Sequence, residues 1–339
     1  MQFGYSETCL DHDTGPRHPE TADRLRAIRR GLAKRHGVEY VDAPPAEKST
    51  VAAVHDDGYV DEFHDFCLDG GGNWDPDTVA VEASWDAALT SAGLAEWAAH
   101  AALDGDDGRD TPFSLGRPPG HHAVEDDAMG FCFFNNAAVA AQAVIDDGLA
   151  ERVAIFDWDV HHGNGTQDIF YDRGDVFYTS IHEDGLYPGT GEVEETGEGD
   201  GDGDGSTLNV PLHAGAGDAD YVYSFDEAIA PAVERFDPDL FIVSAGFDAH
   251  RHDPISRMRV STEGYAMLTE CVQELCAATD AAIAFVLEGG YGLDTLSEGV
   301  ATVHETFDGR IAMDPEEDPD EKNVELVDDV RAAHGLGAK

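Results

Sequence analysis

Positive charge is what this sequence has least of. Twenty Lys and Arg residues stand against 70 Asp and Glu in 339 residues, a formal net charge of −50, and the lysines are Lys34, Lys48, Lys322 and Lys339 alone. So acidic a surface repels nucleic-acid phosphates and anionic bilayers, which excludes direct nucleic-acid and membrane partners. Its self-repulsion is tolerable where salt screens it, the Debye length being about 3 Å at 1 M. The acids are spread along the whole chain, which points to the molar-salt cytoplasm of a halophile. Cysteine is scarce as well. Cys9, Cys67, Cys132, Cys271 and Cys276 form no CxxC pair and are odd in number, which argues against a disulfide framework and for buried thiols. No apolar run approaches about 18 residues. The start, Met1-Gln2-Phe3-Gly4-Tyr5, has neither the basic nor the apolar stretch of a signal peptide. These absences leave a cytoplasmic protein, and its 42% hydrophobic content is enough for a sizeable core.

What is there alternates. Apolar, β-branched runs at Pro112–Leu115, Val153–Phe156, Val176–Ile181, Leu208–Leu212, Leu240–Ala245 and Ile283–Leu287 read as strands, with Phe3-Gly4-Tyr5 as a short first one. Helical spacing predicts helices from about Thr21, with Thr21 as the cap, through Val54-His55 and Tyr59–Phe66, over Ser84–Leu103, Phe134–Ile145, Ala219–Phe236, Thr262–Thr279 and Leu293–Thr306. Gly70–Thr78 lacks periodicity and reads as a long loop of the kind that walls a site; Gly189–Gly205 reads as an acidic surface loop. Strands alternating with helices imply a three-layer α/β fold with a mostly parallel sheet. Residues 1–310 then form one domain, with 311–339 an acidic tail or a docking helix. Oligomeric state stays open.

Polar clusters follow the strands, and in open α/β sheets ligands bind at the strands' carboxyl ends. The richest cluster is Asp157-Trp158-Asp159-Val160-His161-His162-Gly163-Asn164-Gly165. If strand geometry persists through it, Asp157, Asp159 and His161 share a face. With Asp248 from another strand end, Asp159 and His161 offer one nitrogen and two carboxylates, a set that suits a divalent ion such as Zn²⁺ with a position left open. The adjacent His121 and His122 look like acid/base equipment, with Asp157 and Asn164 available to fix their tautomers. Tyr291, on the Gly289-Gly290 turn, is placed to hydrogen-bond a developing oxyanion, or else is simply structural. His18 is as readily a loop-to-core hydrogen bond as a functional group, and His162 faces away from the cluster.

Arg117-Pro118-Pro119-Gly120-His121-His122-Ala123, Gly130-Phe131-Cys132-Phe133-Phe134-Asn135-Asn136, Asp157–Gly165, Pro188-Gly189-Thr190-Gly191, Ser244–Asp248 and Glu288-Gly289-Gly290-Tyr291 together resemble the zinc-dependent histone deacetylase family. The likeness covers residues 1 to 308 in the family's order. It is nearest to the second class and its bacterial relatives, which include acetylpolyamine amidohydrolases and acetoin-utilisation proteins; Asn164 and Glu288 are the class markers. The resemblance implies an arginase-like fold with an eight-stranded parallel sheet. It implies Zn²⁺ on Asp159, His161 and Asp248, with His122 as base and then acid and His121, paired with Asp157, as electrostatic partner. Tyr291 would polarise the acetyl carbonyl, and Gly130, Phe131, Tyr187 and Gly289 would line the substrate tunnel. It also implies K⁺ held by Asp157, Asp159, Ser180 and the backbone of His161 and Ile181. The implied reaction is hydrolysis of an N-acetyl amide in an acetylated protein or a small acetylated amine. Polyamine-selective relatives carry a gatekeeping Glu where this chain has Ile255, which leans towards acetyl-lysine. A catalytically dead acetyl-lysine reader is the remaining alternative, and the intact ligands, histidines and Tyr291 argue against it.

Overall fold

The computed structural model describes residues 1–104, 111–198 and 205–337. In chain order its strands are β1 (Gln2–Gly4), β2 (Glu39–Val41), β3 (Gly71–Asn73), β4 (Val79–Val81), β5 (Pro112–Ser114), β6 (Val153–Asp157), β7 (Val176–Glu183), β8 (Thr207–Leu212), β9 (Leu240–Ala245) and β10 (Ala282–Leu287). Its helices are α1 (Asp23–Leu32), α2 (Lys48–Val51), α3 (Asp57–Leu68), α4 (Ser84–Asp104), α5 (Asn136–Asp146), α6 (Asn164–Phe170), α7 (Asp218–Ser224), α8 (Ala230–Phe236), α9 (Thr262–Thr279), α10 (Leu293–Phe307) and α11 (Glu321–Ala333). A single π-helical stretch, Phe225–Ile229, joins α7 to α8, so the helix read over Ala219–Phe236 is continuous in the chain.

Eight strands form one sheet in the order β2-β1-β5-β10-β9-β6-β7-β8, and every pairing in it is parallel. The expected α/β architecture is therefore present. The strand period of two sorts the central residues between two cores. Val153, Ile155, Leu240, Ile242 and Val286 join the core under α3, α4 and α5. Ala154, Phe156, Phe241, Val243, Phe285 and Leu287 join the opposite core, under α1 and the helices from α7 to α11. Burying each large side chain contributes roughly 1.5–3 kcal/mol. A sheet covered on both faces leaves only the strand ends for polar groups.

Several boundaries differ from the sequence reading. The first helix starts at Asp23 with Ala22 as its cap, so Thr21 does not cap it. Val54 and His55 precede α3, which Asp56 caps by accepting from the amides of Gly58 and Tyr59. Gly70–Thr78 is not a plain loop, because β3 pairs antiparallel with β4. Gly71 lies so close to the partner strand that a Cβ would stand 2.3 Å from the Ala80 carbonyl oxygen, and glycines carry no side-chain pattern to announce a strand. β2 was not foreseen: its Glu39 and Tyr40 are exposed and its three residues carry too little periodicity. Part of the expected Gly189–Gly205 loop, residues 199–204, lies outside the described residues. Near the C-terminus, α11 packs on the edge strand β8 and on α7, with Val327 and Val330 fully buried. Asn323 there accepts from the His213 amide and donates to Asp220. Among the described residues no helix is long and apolar enough to cross a membrane.

Candidate metal centre and proton-transfer site

β6 ends at Asp157, so the alternation expected of Asp157, Asp159 and His161 on a continuing strand does not hold. The ladder frays instead: the Trp158 amide still donates to Ser244 on β9, and Val160 accepts from Glu183 on β7. Between these anchors the chain turns on its own carboxylates. The Asp159 amide donates to Asp157 Oδ1 at 3.0 Å, and the His161 amide donates to Asp159 Oδ1 at 2.9 Å. This turn, rather than strand alternation, brings Asp159 and His161 to the same side. Neighbouring strand ends complete the site. Asp248, beyond β9, accepts from the Val160 amide at 2.9 Å, and the Gly289 amide, beyond β10, donates to Asp159 Oδ2 at 2.7 Å. Glycine is required at both flanks: a Cβ on Gly246 would stand 2.1 Å from Asp159 Oδ2, and one on Gly289 2.2 Å from Asp248 Oδ2.

Asp159, His161 and Asp248 each offer one ligand atom, all within 4.8 Å of one another, and all three residues are buried. His161 Nδ1 lies 3.0 Å from Asp159 Oδ1 and 3.3 Å from Asp248 Oδ2. Acid outweighs base here. Asp157, Asp159, Asp248 and Glu288 are all 0% exposed. Burial opposes the charge on His161, yet Asp159 and Asp248 hold its imidazolium, up to about 10. Burial and then the Asp159 charge push the Asp248 carboxyl above the usual carboxylate range. Beyond that 3.3 Å ion-pair contact with His161, Asp248 Oδ2 makes no hydrogen bond among the described residues. A buried carboxylate oxygen left this way is costly, and a cation supplies what it lacks. The donor set of one imidazole and two carboxylates fits a divalent metal.

The two histidines expected at this site are there, wired differently. His121 Nδ1 lies 2.9 Å from Asp157 Oδ2, and its Nε2 lies 3.9 Å from Asp159 Oδ1. Burial would discharge this ring, but Asp157 and Asp159 keep it cationic, up to about 10. His122 Nδ1 lies 2.8 Å from Asn164 Oδ1, so it must donate, which leaves its Nε2 lone pair free. Burial first, then the charges of His121 and His161, push His122 far below its ordinary value. The rings sit 4.0 Å apart, one charged and one neutral. His162 turns away, as expected, with Nδ1 on Thr190 and Nε2 on Gln167. Asp157 and Ser180 stand opposite each other in the β6–β7 register, with fully buried Ile181 next along β7.

Around this centre stand the expected wall residues. Gly130 has φ +57°, and a Cβ there would meet the His122 ring at 2.4 Å, so only glycine fits. Phe131 has φ +73° and its amide donates to Thr78 Oγ1 at 3.1 Å. Its ring meets Tyr291 edge to face at 5.9 Å. Tyr187 stands edge-on to His122 at 5.0 Å. Ile255 is half-buried on the loop after Asp248. Gly289, expected to line the tunnel, has its amide committed to Asp159.

The histone deacetylase domain model matches residues 18–307. The chain belongs to the histone deacetylase family. It is 38% identical to a histone deacetylase-like amidohydrolase of Pseudomonas aeruginosa over 85% of this chain and 81% of that one. It is 37% identical to a probable deacetylase of Archaeoglobus fulgidus over 86% and 81%. The crystal structure of the HDA15 HD domain superposes with a TM-score of 0.89 at 36% identity, covering 98% of this chain and 96% of that one. These relatives make the chain a deacetylase.

The deacetylase site rests on residues that sequence reasoning missed or used only as labels. Arg24 donates to the carbonyls of Gly290 and Glu288 and lies 5.1 Å over the Tyr291 ring. Asp253 caps the same turn from the other side, accepting from the Tyr291 and Gly292 amides at 2.7 and 2.9 Å. Glu288 Oε2 accepts from the amides of Gly120 and His121, so this class marker is also the carboxylate beneath the histidine pair. Burial raises its carboxyl, to about 7, against the opposing charge of His121. Only a buried Arg amid acids, or an acid two residues before a proposed gate, hinted at these roles.

Proposed function

We propose that this deacetylase hydrolyses the Nε-acetyl amide of lysine in proteins in a zinc-dependent reaction. The observation that carries the reading is a neutral His122 with a free Nε2 beside a buried cluster in which two carboxylates share one imidazole nitrogen and Asp248 Oδ2 makes no hydrogen bond. Asp159, His161 and Asp248 would hold the zinc, which when bound supplies Lewis acidity towards the acetyl carbonyl and towards water. His122 Nε2 takes the proton from the attacking water and returns it to the amine nitrogen as the C–N bond breaks, releasing acetate and free amine. His121, held cationic by Asp157, faces the site as a fixed positive charge. Tyr291 stays a neutral donor, because burial first, then the carboxylates of Asp248 and Asp159, keep its phenol well above its ordinary value in spite of Arg24. Its hydroxyl would donate to the developing oxyanion. Gly130, Phe131, Tyr187 and Ile255 would bound the aliphatic stem.

A monovalent ion belongs to the same proposal. Asp157, Asp159, Ser180 and the backbone of His161 and Ile181 would hold K⁺, and the excess of buried carboxylates gives such an ion a reason to bind. Turnover in potassium against sodium buffer tests it.

One observation favours a second reading, a small acetylated polyamine as substrate. Burial raises the Tyr187 phenol, and Asp77, Asp75 and Asp127 add to the rise, so carboxylates surround the mouth and suit a cationic substrate. Ile255, an apolar residue in the gate position, favours acetyl-lysine. An acetyl-lysine peptide assayed beside acetylputrescine, with and without a chelator, separates the two. Turnover of the peptide that the chelator abolishes is expected. Faster turnover of acetylputrescine would reverse the substrate assignment, and chelator-insensitive turnover would remove the metal.

A further inference from the structure

His162 is fully buried, and nothing in the proposed reaction uses it. Its Nε2 lies 3.0 Å from Gln167 Oε1, an acceptor, so Nε2 carries the proton and Nδ1 accepts the Thr190 hydroxyl at 2.8 Å. Gln167 continues the chain of bonds, accepting from Asn209 at 2.7 Å and donating to Glu195 Oε2 at 2.6 Å. A second buried imidazole, His182, works in parallel: its Nδ1 pairs with Ser180 Oγ and its Nε2 donates to the Gly191 carbonyl at 3.1 Å. Glu195 Oε2 also accepts the Gly191 amide at 3.2 Å. The two rings lie 4.8 Å apart. Gly191, at φ +91°, runs so close that a Cβ would stand 2.6 Å from His182 Nε2 and 2.7 Å from the His162 ring.

The bonds to Thr190, Gly191 and Glu195 hold the return limb of the loop leaving β7, and those to Ser180 and Asn209 anchor the clamp to the sheet. The outgoing limb of that loop carries Tyr187, whose ring stands edge-on to His122 at 5.0 Å and 6.5 Å from His161. Thr190 itself is exposed, so its tie to a fully buried imidazole is a directed contact from surface to core.

We infer that His162 is a positioning residue for substrate binding, fixing through Thr190 the loop that holds Tyr187 against the reacting histidine. The inference rests on the reading of Tyr187 as tunnel wall. The consecutive pair His161–His162 then divides its labour, one ring to the metal cluster and the other to the wall.

The test uses the full chain with Thr190→Val and Thr190→Ser, a surface position that does not threaten folding. Loss of one hydrogen bond predicts a KM for an acetyl-lysine peptide about three- to tenfold higher in Thr190→Val, with kcat nearly unchanged. Thr190→Ser, which keeps the hydroxyl, should restore the wild-type KM. In a Tyr187→Ala background Thr190→Val should add nothing, because the loop no longer presents the ring. Backbone amide exchange over residues 186–192 should quicken in Thr190→Val, and this readout needs no turnover. Wild-type KM and exchange in Thr190→Val, or an undiminished KM effect in the Tyr187→Ala background, would overturn the inference. A wild type that hydrolyses no acetamide refutes the proposed reaction instead, and exchange alone then decides whether the clamp holds the loop.

Discussion

Two clusters of buried charge sit under the same strand ends, and they are built oppositely. In the first, Glu20 receives two of the three guanidinium nitrogens of Arg117 at 2.8 and 2.7 Å and one from Arg24 at 3.2 Å, and all three residues are 0% exposed. The remaining guanidinium nitrogens go to the carbonyls of Cys9, His12, Gly290 and Glu288. Against burial, Arg117 and then Arg24 hold Glu20 well below the usual carboxylate range. In the second, Asp159 and Asp248 share the single nitrogen His161 Nδ1, and Asp248 Oδ2 has that 3.3 Å ion pair but no hydrogen bond among the described residues. Burial and charge are common to both clusters, so neither property marks a site. Closure is the difference. The first cluster satisfies itself and braces the turn under Tyr291, while the second leaves two carboxylates on one imidazole nitrogen, the arrangement we propose a cation completes.

The largest effect should come from the open cluster. Asp248→Asn should lower turnover by roughly 10³-fold or more and release the metal, read as metal content beside rate. Retained metal would place the ion elsewhere. Next come the groups proposed to touch substrate but not metal: His122→Ala should lower kcat about 10²–10⁴-fold and Tyr291→Phe about 10²–10³-fold, both with metal still bound. Near-normal turnover in either variant would sink the role assignment. The closed cluster should fail in stability rather than chemistry. Arg117→Met strands Glu20 and should cost about 3–5 kcal/mol by denaturant unfolding. An unchanged midpoint would mean that Glu20 is not charged.

A pH slope comes from the same closed cluster. Burial lowers His12 to about 4 in spite of Glu20 beside it. The unfolded chain takes up that proton near 6.5, at higher pH than the folded one. Stability from this group is thus full above about 6.5 and is lost as pH falls towards 4. His12→Gln should flatten the slope in that window, and an unaltered slope would assign it to other groups. The smallest effect sharpens the comparison most. In metal-free protein Asp248→Asn should raise stability by about 1 kcal/mol, since it removes one of two buried, mutually repelling carboxylates. Destabilisation of the metal-free protein would mean that the open cluster closes itself.

The sequence made much of this legible because the sheet is covered on both faces. Val153–Phe156 and Leu240–Ala245 are too apolar to be anything but buried strands, and the polar residues after them had only the strand ends to occupy. Asp159, His161, Asp248, His121 and His122 were found on that ground, and their motif order pointed to the family. The sequence misled where local geometry departs from the regular period. Asp157, Asp159 and His161 meet through a turn on their own carboxylates, and the glycines of β3 carry no pattern to read. It was silent where a role depends on a distant partner: Asp253 holds the Tyr291 turn from 38 positions away, and Glu288 supports the His121 amide from 167 positions away.

By itself, then, the sequence determined the layers, the strand ends and the identity of the donor groups, because side-chain period and chemistry are local properties. Only the tertiary structure decided which carboxylates are closed by arginine and which stay open for a metal. It alone decided that His121 is charged beside a neutral His122, and that His162 bonds Thr190 on the loop that carries Tyr187. Those outcomes depend on burial and on hydrogen-bond partners drawn from different strand ends, and both come into being only when the sheet assembles.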